Sequence, residues 1–146
     1  MTECSRVMHC RPSDVFAVLS DGWTYPVWVV GAARVRDVDP GWPDPGTRIH
    51  HGVGVWPLLL HDTTQSTMSK PPHRLRLRAH AWPTGEAHVD LRVEPHGQGS
   101  VVTIEEHAAS GPATLIPRPV EAALLKWRNS ETLERLAFIA EGRARS

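Results

Sequence analysis

The sequence predicts an α+β domain spanning residues 1–146. A curved, seven-stranded antiparallel sheet lies against a long C-terminal helix, with two short helices between strands 1 and 2. Three observations predict it. Apolar residues recur with a period of two from about Ala33 to Ala108. From Val120 to Ala140 they recur with the period of a helix instead. Turn-forming residues are plentiful, 11 Gly and 13 Pro in the whole chain, and those after Ala33 cut the period-two stretch into short pieces. One-sided strands joined by hairpins make an antiparallel sheet with one wet face. The long helix then covers the other face, and a strongly curved sheet around a helix leaves a cavity between them.

The elements follow in order. Cys4–Cys10 is short and mixed and reads as a first strand. Pro12 suits a first helical turn, where its missing N–H costs nothing, and Ser13 and Asp14 suit the same helix start. Val15, Phe16, Val18 and Leu19 carry the stripe of that helix, and Asp21-Gly22 stops it. Tyr25–Val30 reads as a second short helix. Ala33–Val38 is a strand, followed by a loop, Pro40–Gly46, with three prolines. Ile49, His51, Val53 and Val55 share one side of the next strand. Trp56-Pro57 interrupts, and Leu58–Ser69 resumes as another strand. Leu75, Leu77, Ala79 and Ala81 alternate with Arg74, Arg76, Arg78 and His80. Ala87, Val89, Leu91 and Val93 alternate with acidic and basic neighbours. A three-residue turn, Pro83-Thr84-Gly85, makes these two a hairpin in which Arg78 faces Asp90 and Arg74 faces Glu94. The last strand has Val102, Ile104, Glu106 and Ala108 on one side. On the long helix Ala122, Leu125, Thr132, Leu133, Leu136, Ala137, Ile139 and Ala140 share a broad face with Asn129 in its middle. A second patch, Val120, Leu124, Trp127 and Phe138, implies contact from another direction.

Composition narrows the function. Sixteen basic residues balance sixteen acidic ones. That balance argues against broad nucleic-acid or anionic-membrane binding, which needs a basic excess. The N-terminus lacks the apolar core of a signal peptide. The longest apolar run, within Val27–Ala33, falls far short of the roughly 20 residues that cross a bilayer. The expectation is a cytoplasmic protein with no membrane insertion. Cys4 and Cys10, if on one strand, have Cα atoms about 20 Å apart at roughly 3.3 Å per residue. A disulfide reaches about 7 Å, so both are expected as free thiols.

The segments Arg11–Asp21, Trp28–Ala32, Gly46–Pro57, Arg78–Pro83, Val102–Glu106 and Arg128–Leu133 carry a resemblance that spans nearly the whole chain. Together they resemble the helix-grip fold of the START-like superfamily, and more narrowly its SRPBCC branch of polyketide cyclase/dehydrase-like proteins. The resemblance implies a deep pocket between sheet and long helix that holds a hydrophobic or aromatic small molecule. In members that are enzymes, it implies interior polar groups that move protons. Fold alone does not choose between carriers, cyclases, hydrolases and co-chaperones.

Several residues are candidates for that pocket. Glu106 is in phase with Val102 and Ile104. An inward carboxylate must be paired, protonated or beside a wet cavity, and a raised pKa suits a general acid or base. The alternative is a strand end from which Glu106 reaches solvent. His51 shares a face with Ile49 and Val53, where a neutral imidazole can exchange a proton or simply fill the core. His50 points the other way, so the pair is not a chelate. No other histidine spacing suggests a metal, and no cofactor is implied. Asn129 can orient a ligand oxygen or hydrogen-bond an inward carboxylate such as Glu106. Trp28, Trp56 and Trp82 sit at element ends, placed to stack on an aromatic ligand or to pack the rim. Tyr25, the one tyrosine, offers a pocket hydroxyl. Trp23 and Trp42 fall in loops. Arg74, Arg76 and Arg78 read as a solvated basic row balanced by Asp90 and Glu94. No nucleophile elbow, phosphate-binding Gly loop or Cys-His pair is present.

Three functions remain. The chain binds a hydrophobic small molecule; or it is a cyclase or dehydratase using Glu106 with His51 or Asn129; or it is an interaction module that uses the Trp127 patch and exposed sheet edges, a homodimer being one form it could take.

Overall fold

A computed structural model describes residues 2–29, 34–53, 60–81, 85–108 and 115–145. The chain order is β1 (Thr2–Met8), α1 (Pro12–Leu19), a 3₁₀ turn (Gly22–Thr24) and α2 (Tyr25–Trp28). Then come β2 (Arg34–Val38), β3 (Arg48–Val53), β4 (Leu60–Lys70), β5 (Arg74–Ala81), β6 (Gly85–His96), β7 (Gly99–Ala108) and α3 (Arg118–Ala144). All seven strands form one antiparallel sheet in the order β1-β7-β6-β5-β4-β3-β2. The meander from β2 to β7 follows from consecutive hairpins. β1 closes it by pairing with β7, Cys4 opposite Ile104. Helix α3 packs on β1, β7, α1 and α2.

The period-two pattern decides which face is covered. Ile49, Leu75, Leu77, Leu91, Val93, Val102 and Ile104 are buried toward the helices. They meet Val15, Phe16, Val18 and Leu19 of α1 and Leu133, Leu136, Ala137 and Ala140 of α3. Removing such surface from water contributes about 25 cal/mol per Å² of apolar area. Where β7 begins, a Cβ at Gly99 would lie 2.4 Å from the Met8 carbonyl oxygen, so only glycine fits.

Some details differ from expectation. β1 ends at Met8, so Cys10 lies beyond it. Both cysteines are free and buried. Burial, with Asp14 and Glu141 nearby, pushes the Cys10 thiol up to about 11, so it stays protonated. In the β5–β6 hairpin Arg78 faces His88, Arg76 faces Asp90 and Arg74 faces Arg92, two residues from the expected register. The reason is Gly85. At φ +97° it begins β6 opposite Ala81 instead of lying in the turn. A shift of two leaves every side chain on its expected face. On α3 the buried stripe runs from Asn129 to Ala140, while Ala122 is exposed and Leu125 half-buried. Val120, Leu124, Trp127 and Phe138 stand out from the surface, so the expected second contact is not made among the described residues. Trp42 is no idle loop residue. It packs on the core and its Nε1 donates to the Leu19 carbonyl at 3.0 Å, ending α1. None of the described helices is long and apolar enough to cross a membrane.

Candidate functional site

Where β3, β4 and β7 face α2 and the middle of α3, the covered side of the sheet turns polar. His51, Asp62, Thr64, Glu106, Asn129 and Thr132 are all buried there or nearby. Two groups of contacts account for most of them.

The first is an ion pair. β7 runs on to Ala108, so Glu106 is not a strand end and its side chain is only 6% exposed. Arg128 Nη2 donates to both Glu106 oxygens. Asn129 Nδ2 donates to Glu106 Oε2 at 3.1 Å. The inward carboxylate is thus satisfied by pairing, with an amide as second donor. Arg128 keeps 37% of its side chain exposed. Its stem climbs from the flank of α3 while its head reaches the carboxylate.

The second is a row of aromatic and hydroxyl groups. His51 Nε2 lies 3.1 Å from Thr64 Oγ1, and Thr64 Oγ1 donates to the Tyr25 hydroxyl at 3.4 Å. The Tyr25 ring stacks with the His51 ring at 6.2 Å and meets Trp28 edge-on at 5.3 Å. Pro26 sits in the first turn of α2, which brings Tyr25 and Trp28, one helical turn apart, to the sheet. Burial pushes the Tyr25 phenol up, and the charges of Glu106 and Arg128 both act on it. The two groups of contacts therefore form one neighbourhood. Burial holds the His51 imidazole below its ordinary range, against the pull of Asp62, so the ring is neutral near pH 7. Asp62 stands opposite His51 in the β3–β4 register and takes a 3.0 Å bond with His80 Nδ1.

Two buried polar atoms of this neighbourhood have no hydrogen-bond partner among the described residues: Trp28 Nε1 and His51 Nδ1. An unmet buried donor or acceptor costs about 1–3 kcal/mol.

The structure thus brings together Tyr25, Trp28, His51, Glu106 and Asn129. Trp56 and Trp82 lie outside the described residues. His50 points away and bonds Asp39 at 2.8 Å, which holds the Asp39 carboxyl below the usual range. Among the described residues no group of three His, Cys, Asp or Glu side chains could hold a metal. Sequence reasoning missed Arg128 and Thr64. Arg128 sits among charged helix positions, and Thr64 lies in a strand, Thr63-Thr64-Gln65-Ser66-Thr67, with no apolar alternation to reveal its face. The one available signal for Arg128 is its place directly before Asn129.

Comparison with known proteins agrees with this architecture. The sequence model of a family described as polyketide cyclase / dehydrase and lipid transport matches residues 2–141. A crystal structure of a protein from Rhodobacter sphaeroides superposes with a TM-score of 0.71 at 19% identity, covering 96% of this chain and 91% of that one. Protein NE0264 from Nitrosomonas europaea gives 0.71 at 13% identity, covering 99% and 96%. StfQ, a di-domain ARO/CYC from the steffimycin biosynthetic pathway, gives 0.74 at 14% identity. It is covered over 51% of its length by 99% of this chain. No curated protein matches in sequence. Likeness at such identities shows the helix-grip fold alone.

Proposed function

Because the chain belongs to the polyketide cyclase / dehydrase and lipid transport family, we propose that it binds a hydrophobic or aromatic small molecule between the sheet and α3. The observation that carries the reading is the pair of buried, unpartnered polar atoms, Trp28 Nε1 and His51 Nδ1, beside the stacked Tyr25 ring. The aromatic surfaces supply apolar contact, and the two atoms fix orientation through one donor and one nitrogen lone pair. Glu106 and Arg128 neutralise each other, which suits an uncharged ligand.

A titration with 1-naphthol, an aromatic ring bearing one hydroxyl, tests this. The Trp28 indole N–H and the His51 ring resonances are expected to shift saturably. Trp28→Phe keeps the ring and removes the donor, and is expected to weaken binding about fivefold, the worth of one neutral hydrogen bond. Native mass spectrometry of the purified protein should also retain a small molecule or the probe. Failure to saturate, with no retained mass, overturns the reading.

A second reading, cyclase or dehydratase chemistry, is favoured by the neutral His51 with one ring nitrogen unpartnered. The imidazole would take a proton from a carbonyl-bearing substrate, and the Glu106–Arg128 pair would position it. General-base catalysis contributes roughly 10²–10⁴-fold. His51→Gln should then lower turnover by about 100-fold or more while binding changes within a few fold. An equal loss in binding and turnover would leave His51 as a binding residue.

A further inference from the structure

The opposite face of the same sheet carries a groove of about 480 Å³ over β4, β5 and β6. Arg74, Arg76, Arg78, Thr67 and His88 line it, together with the carboxylates Asp90 and Glu105. None of these residues belongs to the neighbourhood around His51 and Glu106.

The guanidinium groups are held in place from one side. Arg74 grips Asp90 with two bonds, at 3.1 and 2.6 Å. Arg76 Nε donates to the same carboxylate at 3.3 Å. Arg78 Nη2 donates to Gln65 Oε1 at 2.9 Å. Glu105 lies 3.6 Å from Arg92, outside the Arg76–Arg78 pair. The bulge between Ser66 and Met68 brings Thr67 to the groove, with its hydroxyl on the Arg76 carbonyl at 3.4 Å. Arg76 and Arg78 are two residues apart on β5, so both project from this face. Among the described residues, Nη1 and Nη2 of Arg76 and Nε and Nη1 of Arg78 have no protein acceptor. His88 stands opposite Arg78 in the β5–β6 register.

We infer that this groove is a second ligand site, for a small molecule carrying a phosphate monoester. Two positioned guanidiniums, each with unspent N–H groups, present more donors than the two oxygens of one carboxylate can take. A phosphate monoester brings three terminal oxygens and close to two charges. Asp90 is shared by two arginines, so the groove keeps a positive excess despite its carboxylates. Its volume leaves room for an organic body beyond the anion. The site does not depend on the reading of the covered face.

Binding of phenyl phosphate tests it, with benzoate as the same ring on a single charge and sodium chloride as the ionic-strength control. Phenyl phosphate is expected to saturate, at least tenfold tighter than benzoate, with shifts at the Arg76 and Arg78 Nε–H resonances. Arg76→Gln and Arg78→Gln should each weaken it at least tenfold. Lys70→Gln, which removes one charge from β4 outside the groove lining, should weaken it less than threefold. Thermal melts of the three variants verify that each is folded. Equal binding of benzoate, an equal loss in Lys70→Gln, or shifts that chloride reproduces would overturn the assignment.

Discussion

The two faces of the sheet use the same chemical groups and put them under opposite rules. On the covered face one carboxylate, Glu106, meets one guanidinium and one amide, and its side chain is 6% exposed. On the open face Asp90 meets two guanidiniums, and Arg76 is half exposed. There, burial works against the Asp90 charge, but the hydrogen bonds from Arg74 and Arg76 hold its carboxyl below the usual range. Water does most of the solvation on the open face, so losing one partner leaves little behind. On the covered face the partners replace the water, so losing one strands the other.

The largest test of that contrast removes Arg128. Arg128→Leu leaves Glu106 buried with Asn129 alone, at a cost of about 3 kcal/mol, the low end for a broken buried pair because Arg128 is partly solvated. Glu106→Leu strands only a side chain that can turn to water, and should cost less than half as much. The asymmetry is the point: deleting the more exposed partner does the greater damage. The double variant should recover most of the loss. Equal losses in urea melts for the two single variants would refute the account of the covered face.

How far these faces were legible follows from the kinds of signal they leave. Glu106 declares its side by keeping step with Val102 and Ile104, and Asn129 by standing in the stripe of Leu133 and Leu136. Their hydrogen bond is the natural meeting of those two positions. The Tyr25–Thr64–His51 row was only half legible. β4 is polar on both sides, so period-two reasoning has nothing to count at Thr64. Arg128 escaped because a long side chain can start on a solvated flank and end in the interior. On the open face the basic row was plain, but its partners were not. The positive φ at Gly85 moves the register by two and hands Asp90 to Arg74 and Arg76 instead of Arg78.

A middle-sized effect separates the faces by pH. His51 is buried and its proton affinity is depressed by that burial. As pH falls below the ordinary histidine value, about 6.5, the unfolded chain takes up a proton that the native His51 resists. The stability this histidine contributes is therefore complete above that value and lost as pH falls toward the lower native one. Melts from pH 7.5 to 5 should decline on this account, and His51→Gln should decline less steeply. If the two profiles run parallel, His51 is not held neutral by the fold.

The smallest effect belongs to the open face. Asp90→Asn removes the carboxylate between Arg74 and Arg76. Both guanidiniums remain in water, so the loss should be about 1 kcal/mol or less. It should shrink further in 0.5 M salt, where the screening length falls to roughly 4 Å. The Arg128→Leu loss should hardly change under the same salt, because its cost is desolvation of a buried charge rather than Coulomb attraction through water. Measuring both variants at two salt concentrations thus compares the faces directly. A salt-insensitive loss of several kcal/mol in Asp90→Asn would mean that the open face is built as tightly as the covered one. Its arginines would then be structural clamps for the sheet, not groups held ready for an anion.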